Sequence, residues 1–140
     1  MSTRETVLDA IKTRLLAASA LTAIVGSHVY RTRRDQINAD DAIEIEQDGI
    51  DSEQIVLGYT DHTMQVVLTA FGKDDIPDKG PDATLTAAHA ALMADPTLGL
   101  ADGVQILPGY NVETPQLGGF DLAALAHRYR IYFRTATTAL

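Results

Sequence analysis

The chain contains no cysteine and no tryptophan. Without thiols it has no disulfide, no thiolate nucleophile and no sulfur ligand for a metal. Without tryptophan, a core must rest on aliphatic residues, five tyrosines and three phenylalanines. Long apolar runs are missing too. The longest, "LLAASALTAIVG", is broken by Ser19 and Thr22 and falls short of the roughly 20 residues that span a bilayer. The opening "MSTRETVLDAIK" lacks the basic, then apolar, then small-residue layout of a secretory signal. No membrane partner is expected. Positive charge is scarce: 11 Lys and Arg stand against 19 Asp and Glu, a net charge of −8. A general nucleic-acid binder carries the opposite excess.

What is present suits one globular domain spanning residues 1–140, long enough for a proper core and too short for two. The segment "STRETVLDAIKTRLLAAS" opens with a capping-box pattern, Ser2 and Glu5. Val7, Leu8, Ile11 and Leu15 follow as an apolar stripe at helical spacing. Ser19 is placed to cap a second short turn, "SALTAIVG", which Gly26 is placed to end. "HVYRT" reads as a short strand. "AIEIEQ" alternates strictly, with Ile43 and Ile45 inward and Glu44 and Glu46 outward. "DGIDSEQIVLGYTDH" mixes turn residues with a strand around Ile55 to Leu57. In "TMQVVLTAFG", Met64, Val66, Leu68 and Ala70 share one face and Gln65, Val67, Thr69 and Phe71 the other. "KDDIPDKGPD" is a loop by composition, and "DATLTAAHAALMAD" a helix with Asp82 as N-cap, Leu85, Ala88, His89 and Leu92 on one face, and Asp95-Pro96 as its stop. "GVQILPGYNVE" and "AHRYRIYFRTA" are closing strands. Strands joined by short links pair antiparallel. The expectation is an α+β fold: an antiparallel (mixed) β-sheet of about four to five strands with two helices packed on one face.

Catalytic signatures are sparse. His28, His62, His89 and His127 are far apart and none has a metal-ligand spacing. Asp74, Asp75, Asp78 and Asp82 do not follow a calcium-loop pattern. Gly118-Gly119 precedes a strand, so it is not a phosphate cradle, and no Gly-x-Ser-x-Gly elbow occurs. No cofactor, no metal site and no catalytic residue is expected. The distribution of arginine is more informative. Six of the 11 basic residues fall in two segments: Arg31, Arg33 and Arg34, then Arg128, Arg130 and Arg134. In the second, Tyr129, Ile131 and Phe133 point one way, so the arginines stand on the opposite face. These six, with the acidic pair Glu44 and Glu46, are the candidate interface residues. The bland alternative is that they are solvated strand and loop positions.

In pattern, length and order, nearly the whole chain resembles the tail-terminator proteins (minor tail protein U-like) of long-tailed bacteriophages. The resemblance runs through the amphipathic helix "TVLDAIKTRLL", then "VYRTRRDQINADDAIEIEQDG", the long strand "HTMQVVLTAFGKDD", and the helix with its exit, "ATLTAAHAALMADPTLGL". It ends in "GVQILPGYNVE" and "ALAHRYRIYFRT", with "DPTLGL" and "YRIYFRT" its sharpest pieces. The resemblance implies a structural, non-enzymatic protein of the virion tail, assembled in the host cytoplasm. It implies a homo-oligomeric ring, usually of six copies though monomeric in isolation, that caps the head-proximal end of the tail tube. Its partners would be itself, the tail-tube protein and the head-completion protein, with phage DNA only as passing cargo. Charged surfaces of opposite sign would suit such self-pairing, or the arginines would line the DNA channel. Two other readings stand beside this one: another head–tail connector or tail-completion protein, and a small binding module or enzyme unrelated to phage.

Overall fold

The computed structural model describes residues 2–31, 41–72, 79–100, 104–107, 112–113 and 123–138. Helix α1, Thr3–Ala17, begins where the Ser2 side chain accepts a hydrogen bond from the Glu5 amide at 3.2 Å. It buries Val7, Leu8, Ile11 and Leu15, the stripe read from the sequence. The other half of the capping box is not used, because the Glu5 carboxylate is taken by Arg31 at 3.0 Å. Helix α2, Ser19–Val25, starts at the expected cap itself, and the cap is Ala18, one residue earlier. Ala18 is extended, and its carbonyl accepts from the Leu21 and Thr22 amides, so Ser19 is already inside the first turn. Gly26 ends α2 at φ 60°, a left-handed conformation that costs glycine little.

Three strands follow: β1, Val29–Arg31; β2, Ala42–Glu53; and β3, Tyr59–Gly72. Helix α3, Lys79–Met93, starts before Asp82, which therefore lies in the first turn and is not the N-cap. Pro81 is compatible with that turn because its missing amide would find no partner there, and Asp82 faces the positive helix end. Strands β4, Gln105–Leu107, and β5, Val112–Glu113, both pair with the last strand, β6, Ala123–Ala136. "GVQILPGYNVE" thus supplies two short strands and not one.

The six strands form one sheet in the order β1-β2-β3-β6-β4, with β5 also on β6. β2, β3 and β6 are antiparallel neighbours. β1 departs from the expected rule and lies parallel to β2, Val29 opposite Ile43 and Arg31 opposite Ile45. The rule concerns tight links. A three-residue strand is only about 10 Å long, so the ten residues between β1 and β2 are ample to return the chain to the starting end.

The helices lie on one face of the sheet. That face contributes Ile43, Ile45, Met64, Val66, Leu68, Ala70, Leu125, Tyr129, Ile131 and Phe133, which pack with Leu8, Ile11, Leu15, Leu21, Leu85 and Leu92. Tyr129 is fully buried; its hydroxyl pairs with His89 Nδ1 at 2.7 Å, and burial raises its pKa so that it stays neutral. Beyond α3, Asp95 accepts from the amides of Thr97 and Gly99, at 3.0 and 3.1 Å, and turns the chain. Leu98 takes a positive φ of 56° there, and its burial in the core offsets the backbone strain. The Ile106 amide then bonds the Pro96 carbonyl at 2.7 Å, docking β4. On the opposite face, Phe71 makes a small cluster with Ala42, Ala124 and Tyr30.

The two faces of β3 differ enough to be told apart by truncation. Leu68→Ala, at a fully buried site, is expected to cost about 2–5 kcal/mol. Val67→Ala, on the half-buried opposite face, is expected to cost about 1 kcal/mol or less. Urea denaturation of both variants checks this. Equal losses would mean that the helices do not cover the face assigned to them.

Candidate interaction surface

The face away from the helices is built by strand parity. β6 sends Arg128, Arg130, Tyr132 and Arg134 to it, and their register partners on β3 are Val67, Gln65, Thr63 and Asp61. β2 completes the rows: Glu46 lies beside Val67, Gly49 beside Gln65, Asp51 beside Thr63 and Glu53 beside Asp61. A register shift between Gln47 and Gly49 leaves Asp48 as the extra residue of a bulge, a device that re-aims side chains. The surface therefore carries an acidic column along β2 and a basic column along β6, about 10 Å apart by strand spacing.

Part of that charge is paired within the chain. Arg128 reaches across β3 to form an ion pair with Asp48. Arg134 grips Asp61 with two bonds, 2.6 and 3.0 Å, and its guanidinium carbon lies 5.7 Å from the centre of the Tyr59 ring. The hydrogen bond from Arg134 holds the Asp61 carboxyl below its ordinary value of 3.8. Arg130, between them, is exposed and also engaged.

The candidates chosen from sequence divide into three groups. Arg128, Arg130, Arg134, Glu44 and Glu46 share this face, Glu46 being the more exposed of the acidic pair. Arg31 does not: it follows the parity of Val29 and Ile43 onto the helix side, where it bonds Glu5 at 3.0 Å and Asp9 at 2.8 Å. Arg33 and Arg34 lie outside the described residues, as do Asp74, Asp75 and Asp78. Sequence reasoning missed Asp48, Asp51, Glu53 and Asp61, which make the acidic side of the surface. The signal was present as the carboxylates in "DGIDSEQIVLGYTDH", but their register against β6 is a tertiary fact.

At the far end of the sheet, β2 and β3 join in a hairpin whose turn is the tip of a three-stranded arm, with β6 alongside as far as Ala136 opposite Tyr59. Ile55 to Leu57 are not a strand; they form its tip, with Gly58 at φ 86°. Ile55, Val56, Leu57 and Tyr59 are 68, 43, 90 and 49% exposed. Such a run of large apolar side chains at one point marks a contact surface. Beneath the arm, Ser52 Oγ and His62 Nδ1 are 2.7 Å apart, and His62 Nε2 and Thr135 Oγ1 2.9 Å. His62 is buried and stacks on Phe133 at 4.8 Å. A serine–histidine contact suits nucleophilic chemistry when a carboxylate backs the far nitrogen. Here a neutral hydroxyl occupies that position, and the cluster supplies hydrogen-bond partners for a buried ring. Among the described residues no group of His, Asp or Glu is arranged to hold a metal, and no helix is long and apolar enough to cross a membrane.

No protein-family model and no curated protein matches the sequence. In fold, the chain is similar to a chain in the virion of a native gene transfer agent particle. The TM-score is 0.75 at 16% sequence identity, over 92% of this chain and 95% of that one.

The ion pairs set an acid-side dependence of stability. Asp61 and Glu5 both have folded pKa values below their ordinary 3.8 and 4.5, held down first by hydrogen bonds from Arg134 and Arg31. Depressed carboxyls contribute stability that is complete above the unfolded pKa and lost as pH falls through the folded one. Urea midpoints of the parent and of Asp61→Asn are expected to differ by a constant amount from pH 7 to about 5, then to converge below about pH 4. A difference independent of pH would show that the pair does not bear on stability.

Proposed function

We propose that this chain is a structural, non-enzymatic protein of a virion, and that it caps the head-proximal end of a tail tube as a homo-oligomeric ring. In this role it stops tube growth and offers the joining surface for the head. Six copies form the ring, the tail-tube protein lies on one side and the head-completion protein on the other, and DNA passes through. The observation that carries the reading is the end-to-end likeness of fold to a virion component, covering 92% of this chain. The tail-terminator resemblance of the sequence agrees with it. So does the sheet face, where a basic column beside an acidic one suits a neighbour that presents charges in the complementary order.

The direct test is to image particles made without this chain. Tubes of uncontrolled length lacking heads are expected. Tubes of normal length that fail to join heads would make the chain a joining protein and not a terminator, and normal particles would overturn the reading.

A charge exchange tests the surface. Exchanging Asp48 with Arg128 and Asp61 with Arg134 keeps both intrachain pairs while reversing the signs shown to a neighbour. Exposed pairs contribute only about 0–1 kcal/mol, so the exchanged protein is expected to melt close to the parent. It is expected to cap tails poorly, and parental capping to weaken with salt, since screening acts over about 10 Å at 0.1 M. Normal tail lengths with the exchanged protein would show that the columns have no part in assembly.

A further inference from the structure

We infer that the apolar tip of the β2–β3 arm docks into the groove between α1 and α3 of a second copy of this chain. The inference deepens the ring reading and rests on it, because it names the contact that would repeat around the ring. The tip is a protrusion: Leu57 is 90% exposed and Ile55 68%. The groove is its counterpart, an open trough of about 700 Å³ lined by Ala10, Ala17, Ala18, Ala91, Ala94 and Leu98 among others. Alanines on facing helices leave space that large aliphatic side chains fill, and empty space next to apolar walls forfeits dispersion contacts. With Leu57 90% exposed, the tip does not lie in the groove of its own chain.

The ring reading and charge favour a second copy as the occupant. Knob and groove belong to different elements, so in the proposed ring each copy gives its tip to one neighbour and its groove to the other, and a reciprocal pair of copies would instead stop any cross-linked ladder at the dimer. A patch of this kind covers on the order of 300 Å², so one contact buries about half of the 1,200 Å² that stable interfaces start from. A single partner at this surface would be held weakly. In a closed ring each copy is held by two neighbours at once, so contacts that are weak singly hold together. Charge agrees. Arg14 lines the groove, bonding the Ala91 carbonyl at 3.0 Å and lying 3.7 Å from Asp95. A guanidinium has five donors, and those left over suit the carboxylates of an arm flanked by Asp51 and Glu53. Asp9, also in the groove, is already held by Arg31 at 2.8 Å.

The absence of cysteine from the chain makes the test clean. The double variant Leu57→Cys with Ala17→Cys, joined by a short bifunctional maleimide, is expected to give a ladder of covalent species ending at the ring size. The ladder should form in assembled tails and, more faintly, in concentrated purified protein. Leu57→Cys alone is expected to give no ladder. Adding Ala91→Arg to the double variant is expected to cut the cross-linked fraction at least tenfold while leaving the melting temperature within a few degrees. No ladder in tails of normal length would overturn the docking contact and leave the capping role standing. A loss of capping control in the parent would instead remove the capping role, with the purified-protein ladder still deciding the contact. Strong dimers from Leu57→Cys alone would show tip meeting tip and would also overturn it.

Discussion

Fourteen consecutive residues of β3 pair with β6, from Tyr59 opposite Ala136 to Gly72 opposite Ala123, and β2 pairs along the other edge of β3. This three-strand ladder is the constraint on which the rest depends. Side chains alternate with a period of two, so a slip of one residue would send either Met64, Val66 and Leu68 of β3 to the open side or Arg128, Arg130 and Arg134 of β6 beneath the helices. Burying three guanidinium groups among leucines costs far more than any pairing there returns. The hydrophobic and charged residues of β6 therefore enforce one register jointly. The arginines take part in specifying the fold through the alternatives they forbid, although they add little to the stability of the correct one.

That logic is local, and it was legible in the sequence. The faces of β2, β3 and β6 followed from alternation, and the stripe of α1 from helical spacing, because each depends only on which residues lie two, three or four apart. What escaped were relations across the chain. The parallel placement of β1 depends on where β2 returns, and nothing in "HVYRT" records it. Glu5 fits a capping box, yet Arg31, brought beside α1 by β1, offers its carboxylate a charged partner, and charge-assisted bonds are the stronger kind. Composition groups Arg31 with the β6 arginines, because both segments are basic. Its parity on β1 instead turns it to the helix side, and only the sheet order reveals that. Ile55 to Leu57 have strand propensity, and the reading of a strand there follows it. In the structure they sit where β2 and β3 must turn, and Gly58 supplies the conformation for the turn.

The electrostatic arrangement also changes what the net charge means. A chain of charge −8 places three of its few cations in one column, then ties Arg128 to Asp48 and Arg134 to Asp61. Such tethering leaves charges able to act on a neighbour while fixing where they sit. A free arginine would lose rotamer entropy on binding, whereas one already held by a carboxylate has lost much of it on folding. The paired surface is thus preorganised, at the expense of a weaker field.

In the proposed ring, two kinds of surface divide the work of assembly between them. Ion pairs in water give orientation and discrimination more than affinity, and salt diminishes them. Apolar burial gives affinity with little direction. The sheet face carries the first and the arm tip the second, and β2 and β3 run through both. Because the ladder is continuous from the charged rows to the tip, the two surfaces hold a fixed distance and angle. Two weak contacts on one rigid body act together when a template presents both partners at that spacing, and separately when it does not. On the proposed reading, a subunit built this way would stay dissociated at low concentration and close only where a matching edge is offered, as a cap on a growing tube requires.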